Sequence, residues 1–268
     1  MNTFNDKQNE SAQFHDLLRR ARRCLLNIHY AGGCGHIGGN LSALPSLLAL
    51  FHEVIEPEDR FVLSKGHAAG ALYVALWSSG RLDQEALATF HGEGIKLAGH
   101  PVGGWHPDIM FGTGSLGHGL SLALGVALGL RLQGSTGRVF CLLSEGDLQE
   151  GSTWEAIAFG AHCRMSSLKA LIDANSLQAF GRPEEVSGLE PLDERLRAFG
   201  WDVREIDGHD YRALVRALSQ PHSSPCAVIM RTVKGYGVSF MEGRLEWHYL
   251  PLNEEQFKRA LAENADNE

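Results

Sequence analysis

No stretch of the 268-residue chain holds the roughly 20 consecutive apolar residues that a membrane-crossing helix needs; the longest candidate, Leu120 to Leu130, has eleven. It reads as a buried helix instead. The N-terminal MNTFNDKQNESAQF lacks the basic start and apolar run of a secretory signal, so a cytoplasmic location is expected. Cysteine is sparse. Cys24, Cys34, Cys141, Cys163 and Cys226 show no CxxC or zinc-ligand spacing, which argues against a disulfide framework and for reduced thiols. Lys and Arg total 24 against 32 Asp and Glu, and they are scattered, so the basic stripe expected of a nucleic-acid binder is missing. Internal repeats, low-complexity tracts and linkers are also absent. Residues 1–268 therefore read as one domain with a short polar extension over about residues 1–10.

Glycine and histidine are plentiful, at 31 and 13 residues. Glycine is needed where backbone turns tightly or approaches a ligand. Six histidines, His36, His67, His91, His100, His106 and His118, fall between positions 36 and 118, mostly beside glycine, which suggests a polar cluster carried on loops.

Residues 14–28 show helical spacing of Phe14, Leu17, Leu18, Ala21, Leu25 and Ile28, with Arg19, Arg20, Arg22 and Arg23 largely opposite. The glycine-rich AGGCGHIGGN follows as a loop. LSALPSLLALF then reads as a helix, with Ser42 as its cap and Pro45 in its first turn. Beyond it, short apolar strands at 61–63, 138–143, 168–172, 201–206 and 226–231 are separated by helical segments. That alternation predicts an α/β fold with a mainly parallel sheet and helices on both faces. Ligands of such sheets bind beyond the carboxyl ends of the strands. SKGHAAG, SEGDLQEG, DANSLQ and TVKGYG each follow a predicted strand, so four loops should converge on one edge.

Glu145, Gly146, Asp147 and Glu150 end one predicted strand and open a helix, while Asp173 and Asn175 end the next. Carboxylate and amide oxygens on neighbouring strand ends suit Mg²⁺, which usually keeps positions for phosphate oxygens. Gly146 lets backbone approach a phosphate, and the helix N-terminus favours negative charge. A metal-bridged diphosphate is the functional reading. Helix capping by the acids and a turn at Asn175 is the structural alternative.

The ordered motifs GCGHIGGNLSA, LSKGHAA, AGHP, GTGSLGHGLSLALG, SEGDLQEGSTWEA, IDANSLQ and TVKGYGVSFMEGRLEWH resemble transketolase over roughly residues 14–260. The resemblance implies the thiamine-diphosphate-binding fold, thiamine diphosphate with Mg²⁺ or another divalent cation, and transfer of a two-carbon ketol unit between sugars or sugar phosphates. His36, His67, His100 and His248 are similar to the family's active-site histidines. Neutral imidazole can exchange hydrogen bonds with sugar hydroxyls and relay protons near pH 7. By the same resemblance Gly114, Ser115, Leu116 and Gly146 line the cofactor together with His67, Asn175 and His248, and Glu150 couples two cofactor sites across a dimer. The implied metal ligands are Glu145, Asn175 and the main-chain carbonyl of Leu177.

Two departures stand out. His118 occupies a position where the family commonly has Gln, and SEG replaces GDG, so that Glu145 stands for the metal-binding aspartate and Ser144 for the first glycine. Mg²⁺ demands near-octahedral geometry at about 2.1 Å, so a carboxylate longer by one methylene implies weakened or altered metal binding, with Asp147 as a shifted-register substitute. Transketolases normally continue into a pyrimidine-binding domain that supplies the activating glutamate. The expected partner is a C-terminal subunit carrying that domain, in a heterotetramer. Alternatives are a 1-deoxyxylulose-phosphate-synthase-like subunit, the α subunit of a 2-oxo acid dehydrogenase, and a non-catalytic cofactor-binding partner.

Overall fold

The computed structural model describes residues 2–92 and 97–265. In chain order its elements are α1 (Asn2–Gly32), α2 (Ile37–Ala49), β1 (Arg60–Leu63), α3 (Ala69–Ser78), α4 (Gln84–Leu87), α5 (Gly119–Leu132), β2 (Val139–Ser144) and α6 (Gly151–His162). There follow β3 (Leu168–Ala174), α7 (Pro183–Val186), α8 (Leu192–Ala198), β4 (Asp202–Asp207), α9 (Tyr211–Ser219), β5 (Cys226–Arg231) and α10 (Glu254–Glu263). The five strands form one sheet in the order β1-β2-β3-β5-β4, and every pairing is parallel. The expected α/β class and parallel sheet are thus observed.

Alternation along the strands divides the core. Phe140 and Leu142 of β2, Leu171 of β3 and Val228 of β5 pack with α1, α2, α3 and α9 on one face. Val139, Cys141 and Leu143, with Leu168, Ile172 and Ile229, pack with α5, α6 and α8 on the other. Successive side chains of a strand point to opposite faces, so a central strand covered on both sides must be apolar throughout. Every residue of β2 and β3 is buried. Truncating a residue such as Leu142 to alanine should cost about 2–5 kcal/mol through the cavity left behind.

Several local expectations change. The opening helix extends from Asn2 to Gly32, well beyond residues 14–28 at its N-terminal end and taking in the polar segment read as an extension. Helix α2 begins at Ile37, not after Ser42, so Gly38 and Gly39 are helical, Ser42 lies inside, and Pro45 sits in the helix interior. The left-handed backbone of His36, with φ 64°, sets this start. Helix α5 is buried on one face only, with Leu122 and Leu132 exposed. All five cysteines are free thiols.

Candidate active site

Because the sheet is parallel, the segments that leave β1, β2, β3 and β5 emerge on the same edge, as expected. There they meet the glycine-rich start of α2. A Cβ at Gly38 would lie 3.1 Å from both Cγ of Lys234 and Cβ of Trp247, so glycine lets the loop after β5 close over the helix. The Gly235 N–H donates to the Gly38 carbonyl at 2.9 Å and completes the seam.

Four predicted histidines come together. The ring of His36 lies 5.6, 5.5 and 5.0 Å from those of His67, His100 and His248, and His67 lies 5.6 Å from His248. Asn40 fixes two of their turns, its Nδ2 donating to the carbonyls of His36 at 2.9 Å and His67 at 2.8 Å. The His36 N–H donates to the His248 carbonyl at 3.1 Å. Burial pushes His36 down to about 4 and His248 to about 3, His248 being further depressed by Lys234. His67 and His100 are lowered by burial as well. All four imidazoles are therefore neutral at physiological pH, able both to donate and to accept. His106 and His118 lie outside the cluster; His106 bonds the Arg81 carbonyl and His118 precedes α5.

Next to the histidines is a cavity of about 270 Å³ lined by Glu145, Gly146, Glu150, Leu116, Asn175 and Leu177, together with His67, His248 and Lys234. Glu145 Oε2 accepts the Ser176 N–H at 2.8 Å. Burial raises the Glu145 carboxyl to about 7. Asn175 Oδ1 accepts the Leu177 N–H at 3.2 Å, and the Leu177 carbonyl accepts from Lys234 Nζ at 3.0 Å. Leu116 packs close over Gly146, where a Cβ would come within 2.9 Å of its Cδ1. Glu150 is exposed and packs on Gly117. Gly114 and Ser115 are exposed residues of the neighbouring loop and do not line the cavity; Gly114, with φ 123°, takes a conformation reserved for glycine.

Two carboxylates read as available to a metal are already committed. Asp173 is fully buried, pairs with Lys65, and accepts from Thr232 Oγ1 and from Ser42 Oγ at 2.7 Å. Burial raises its pKa, but Lys65 and the two hydroxyls outweigh that and hold it below the usual range. Asp147 is equally buried and accepts from Ser64 Oγ at 2.5 Å, the Gly117 N–H at 2.9 Å, and the Ser144 N–H and Oγ at 2.7 and 2.8 Å. It holds three loops together, which corrects the shifted-register idea. Sequence reasoning also passed over Lys65, Lys234 and Asn40. The signal available was a lysine directly before glycine in both SKG and TVKG, at the end of an apolar strand.

The oxygens of Glu145, Asn175 and Leu177 are hard donors, and the Lys234 ammonium borders the same cavity. This donor set fits a divalent cation with a diphosphate. The family model described as transketolase, thiamine diphosphate binding domain, matches residues 26–264. The chain belongs to the transketolase family. It is 36% identical over 277 aligned positions to an apulose-4-phosphate transketolase subunit from Actinobacillus succinogenes, covering 99% of this chain and 100% of that one. A 6-deoxy-6-sulfo-D-fructose transketolase subunit from Clostridium sp. is 39% identical over 243 positions, covering 86% and 88%. Among solved structures, transketolase from Campylobacter jejuni superimposes with a TM-score of 0.84 at 27% identity, over 94% of this chain and 43% of that one. The chain thus spans less than half the length of that solved transketolase and nearly the whole of the named subunits. Its likeness to transketolase, a transferase family, lies in the thiamine-diphosphate-binding domain. Among the described residues no helix is long and apolar enough to cross a membrane.

Proposed function

We propose that this chain is the diphosphate- and metal-binding subunit of a two-subunit transketolase. It folds as a single domain, holds thiamine diphosphate with Mg²⁺ or another divalent cation, and serves transfer of a two-carbon ketol unit between sugars or sugar phosphates. The observation that carries the reading is the meeting of His36, His67, His100 and His248 beside the oxygens of Glu145, Asn175 and Leu177. Neither group alone would be distinctive.

Thiamine diphosphate, when bound, supplies the carbon nucleophile and electron sink for carbon–carbon cleavage. Glu145, Asn175 Oδ1 and the Leu177 carbonyl would hold the cation, the carbonyl through the lone pair that Lys234 leaves free. Leu116 and Gly146 would line the cofactor within the cavity, and Gly114 and Ser115, on the neighbouring exposed loop, would border the part of it that extends outside. His36, His67, His100 and His248 would orient sugar hydroxyls and exchange protons with them, since neutral rings both accept and donate. Exposed Glu150 stands free to reach a neighbouring protomer, in keeping with communication between two sites of a cytoplasmic heterotetramer.

The relatives named transketolase subunits support a partner chain, and a pyrimidine-binding domain is what this fold would need beside it. The test is ketol transfer by the purified chain alone, by a partner carrying that domain alone, and by the two mixed. Turnover only in the mixture is expected. Robust turnover by this chain alone would overturn the two-subunit reading.

A further inference from the structure

At the opposite edge of the sheet from the histidines, Asp202 opens β4 and Cys226 opens β5, and the two are paired neighbours in the parallel register. His222, in the connection from α9 to β5, joins them: its Nδ1 lies 2.7 Å from Asp202 Oδ2. One donor atom from each of the three lies within 4.8 Å of the other two. The imidazole is completely shielded from solvent, yet its Nε2 has no hydrogen-bond partner. A buried unpaired ring nitrogen is costly and calls for a trapped water, whereas the nitrogen that faces Asp202 and can share an ion with it is Nδ1.

We propose that Asp202, His222 and Cys226 bind one borderline-soft divalent cation of the zinc type. An oxygen, a nitrogen and a sulfur donor suit such an ion, whereas magnesium and calcium prefer oxygen alone. Donors around tetrahedral zinc sit at about 2.0–2.3 Å, so binding draws the three side chains inward around the ion. The Asp202 side chain, 37% exposed, leaves the fourth position open to water. On binding, the Cys226 thiol gives its proton to solvent and its sulfur takes the metal bond, with no change in oxidation state.

The cationic neighbours act in two directions. Arg204 lies 3.5 Å from Asp202 Oδ2, and Lys169 Nζ is held by the carbonyls of Leu218 at 2.5 Å and Gln220 at 2.6 Å. Both repel an added cation. Both also favour the thiolate over a thiol that burial pushes up to about 11. Lys169 itself is brought down to about 8 by burial, so it gives up its charge more readily than an exposed lysine. Held in this way, the ion would fasten edge strand β4 to β5 without touching the site at the other end of the strands.

Cobalt titration of the metal-free full chain, followed by absorbance, tests the proposal. One equivalent should produce a thiolate-to-cobalt charge-transfer band in the near ultraviolet with visible d–d bands, and zinc should bleach both. Cys226→Ser and His222→Ala should each lose the band, while Cys34→Ser and Asn175→Ala keep it, separating this site from other thiols and from the oxygen-donor cavity. Zinc should also raise the thermal midpoint of the wild type. A wild-type titration without the band would overturn the proposal whatever the variants do. So would a band that survives Cys226→Ser.

Discussion

Lys234 Nζ lies 3.0 Å from Nδ1 of His248. An ammonium only donates, so Nδ1 is the acceptor and the ring proton must sit on Nε2. The same ammonium donates to the Leu177 carbonyl, tying the tautomer of His248 to the loop that carries a proposed metal ligand. Lys234→Met should release both. We expect nitrogen NMR of the isolated chain to show a mixture of His248 tautomers in the variant and one form in the wild type. Turnover of the assembled enzyme should drop by about 10²-fold, within the range for a misplaced acid–base group. An unchanged tautomer in Lys234→Met would show that something else orients the ring.

Glu145 is one of the proposed metal ligands. Restoring the family's shorter carboxylate by Glu145→Asp is attractive from the motif alone, but Oε2 of Glu145 already accepts the Ser176 N–H at 2.8 Å. Shortening the side chain withdraws it from that donor. We therefore expect Glu145→Asp to weaken magnesium-dependent binding of thiamine diphosphate by about tenfold, the equivalent of about 1.4 kcal/mol for a lost hydrogen bond to a charged group. Calorimetric titration at fixed magnesium checks this, and tighter binding would show that the loop readjusts.

Asp147 should matter for stability through its donors. Asp147→Ala leaves the Gly117 and Ser144 N–H groups and the Ser64 hydroxyl without their acceptor in a buried setting. A loss of about 3 kcal/mol is expected in urea unfolding. Ser64→Ala removes one donor only and should cost about 1 kcal/mol.

The pH dependence of folding should report His29. This fully buried ring is pushed by burial down to about 4 from an ordinary value of 6.5. Between those values the unfolded chain binds a proton that the folded chain refuses, so stability present above pH 6.5 is lost as pH falls towards 4. The single group contributes on the order of 3 kcal/mol across that window. In His29→Gln the difference in unfolding free energy between pH 7 and pH 4 should shrink by that amount. Parallel pH profiles would show that His29 does not titrate in this way.

The parallel sheet and the four converging loops were legible because short apolar strands separated by helices allow few other arrangements. The placing of β5 between β3 and β4 was not, since nothing local encodes strand order. Ser42 shows a second limit. Serine before an apolar run resembles a cap, yet it lies inside α2 and donates to Asp173. Helix propensity disfavours Gly38 and Gly39, but their missing side chains make room for Lys234 and His67, and packing prevails over propensity. The four histidines were legible through their motifs. Lys65 and Lys234 were not, because a buried lysine reads as a surface residue until its partners are seen.

Asp173 also bears on the order in which the molecule assembles. It joins Ser42, Lys65 and Thr232, which are 131, 108 and 59 positions away along the chain. Contacts so distant in sequence form only after long loops have closed, and they reward that closure late. A nascent or partly unfolded chain that has not yet docked β5 against β3 therefore lacks the Thr232 contact and the lysine loop that follows it. The pocket is complete only once β5 has docked against β3, and the cofactor would distinguish finished molecules from unfinished ones.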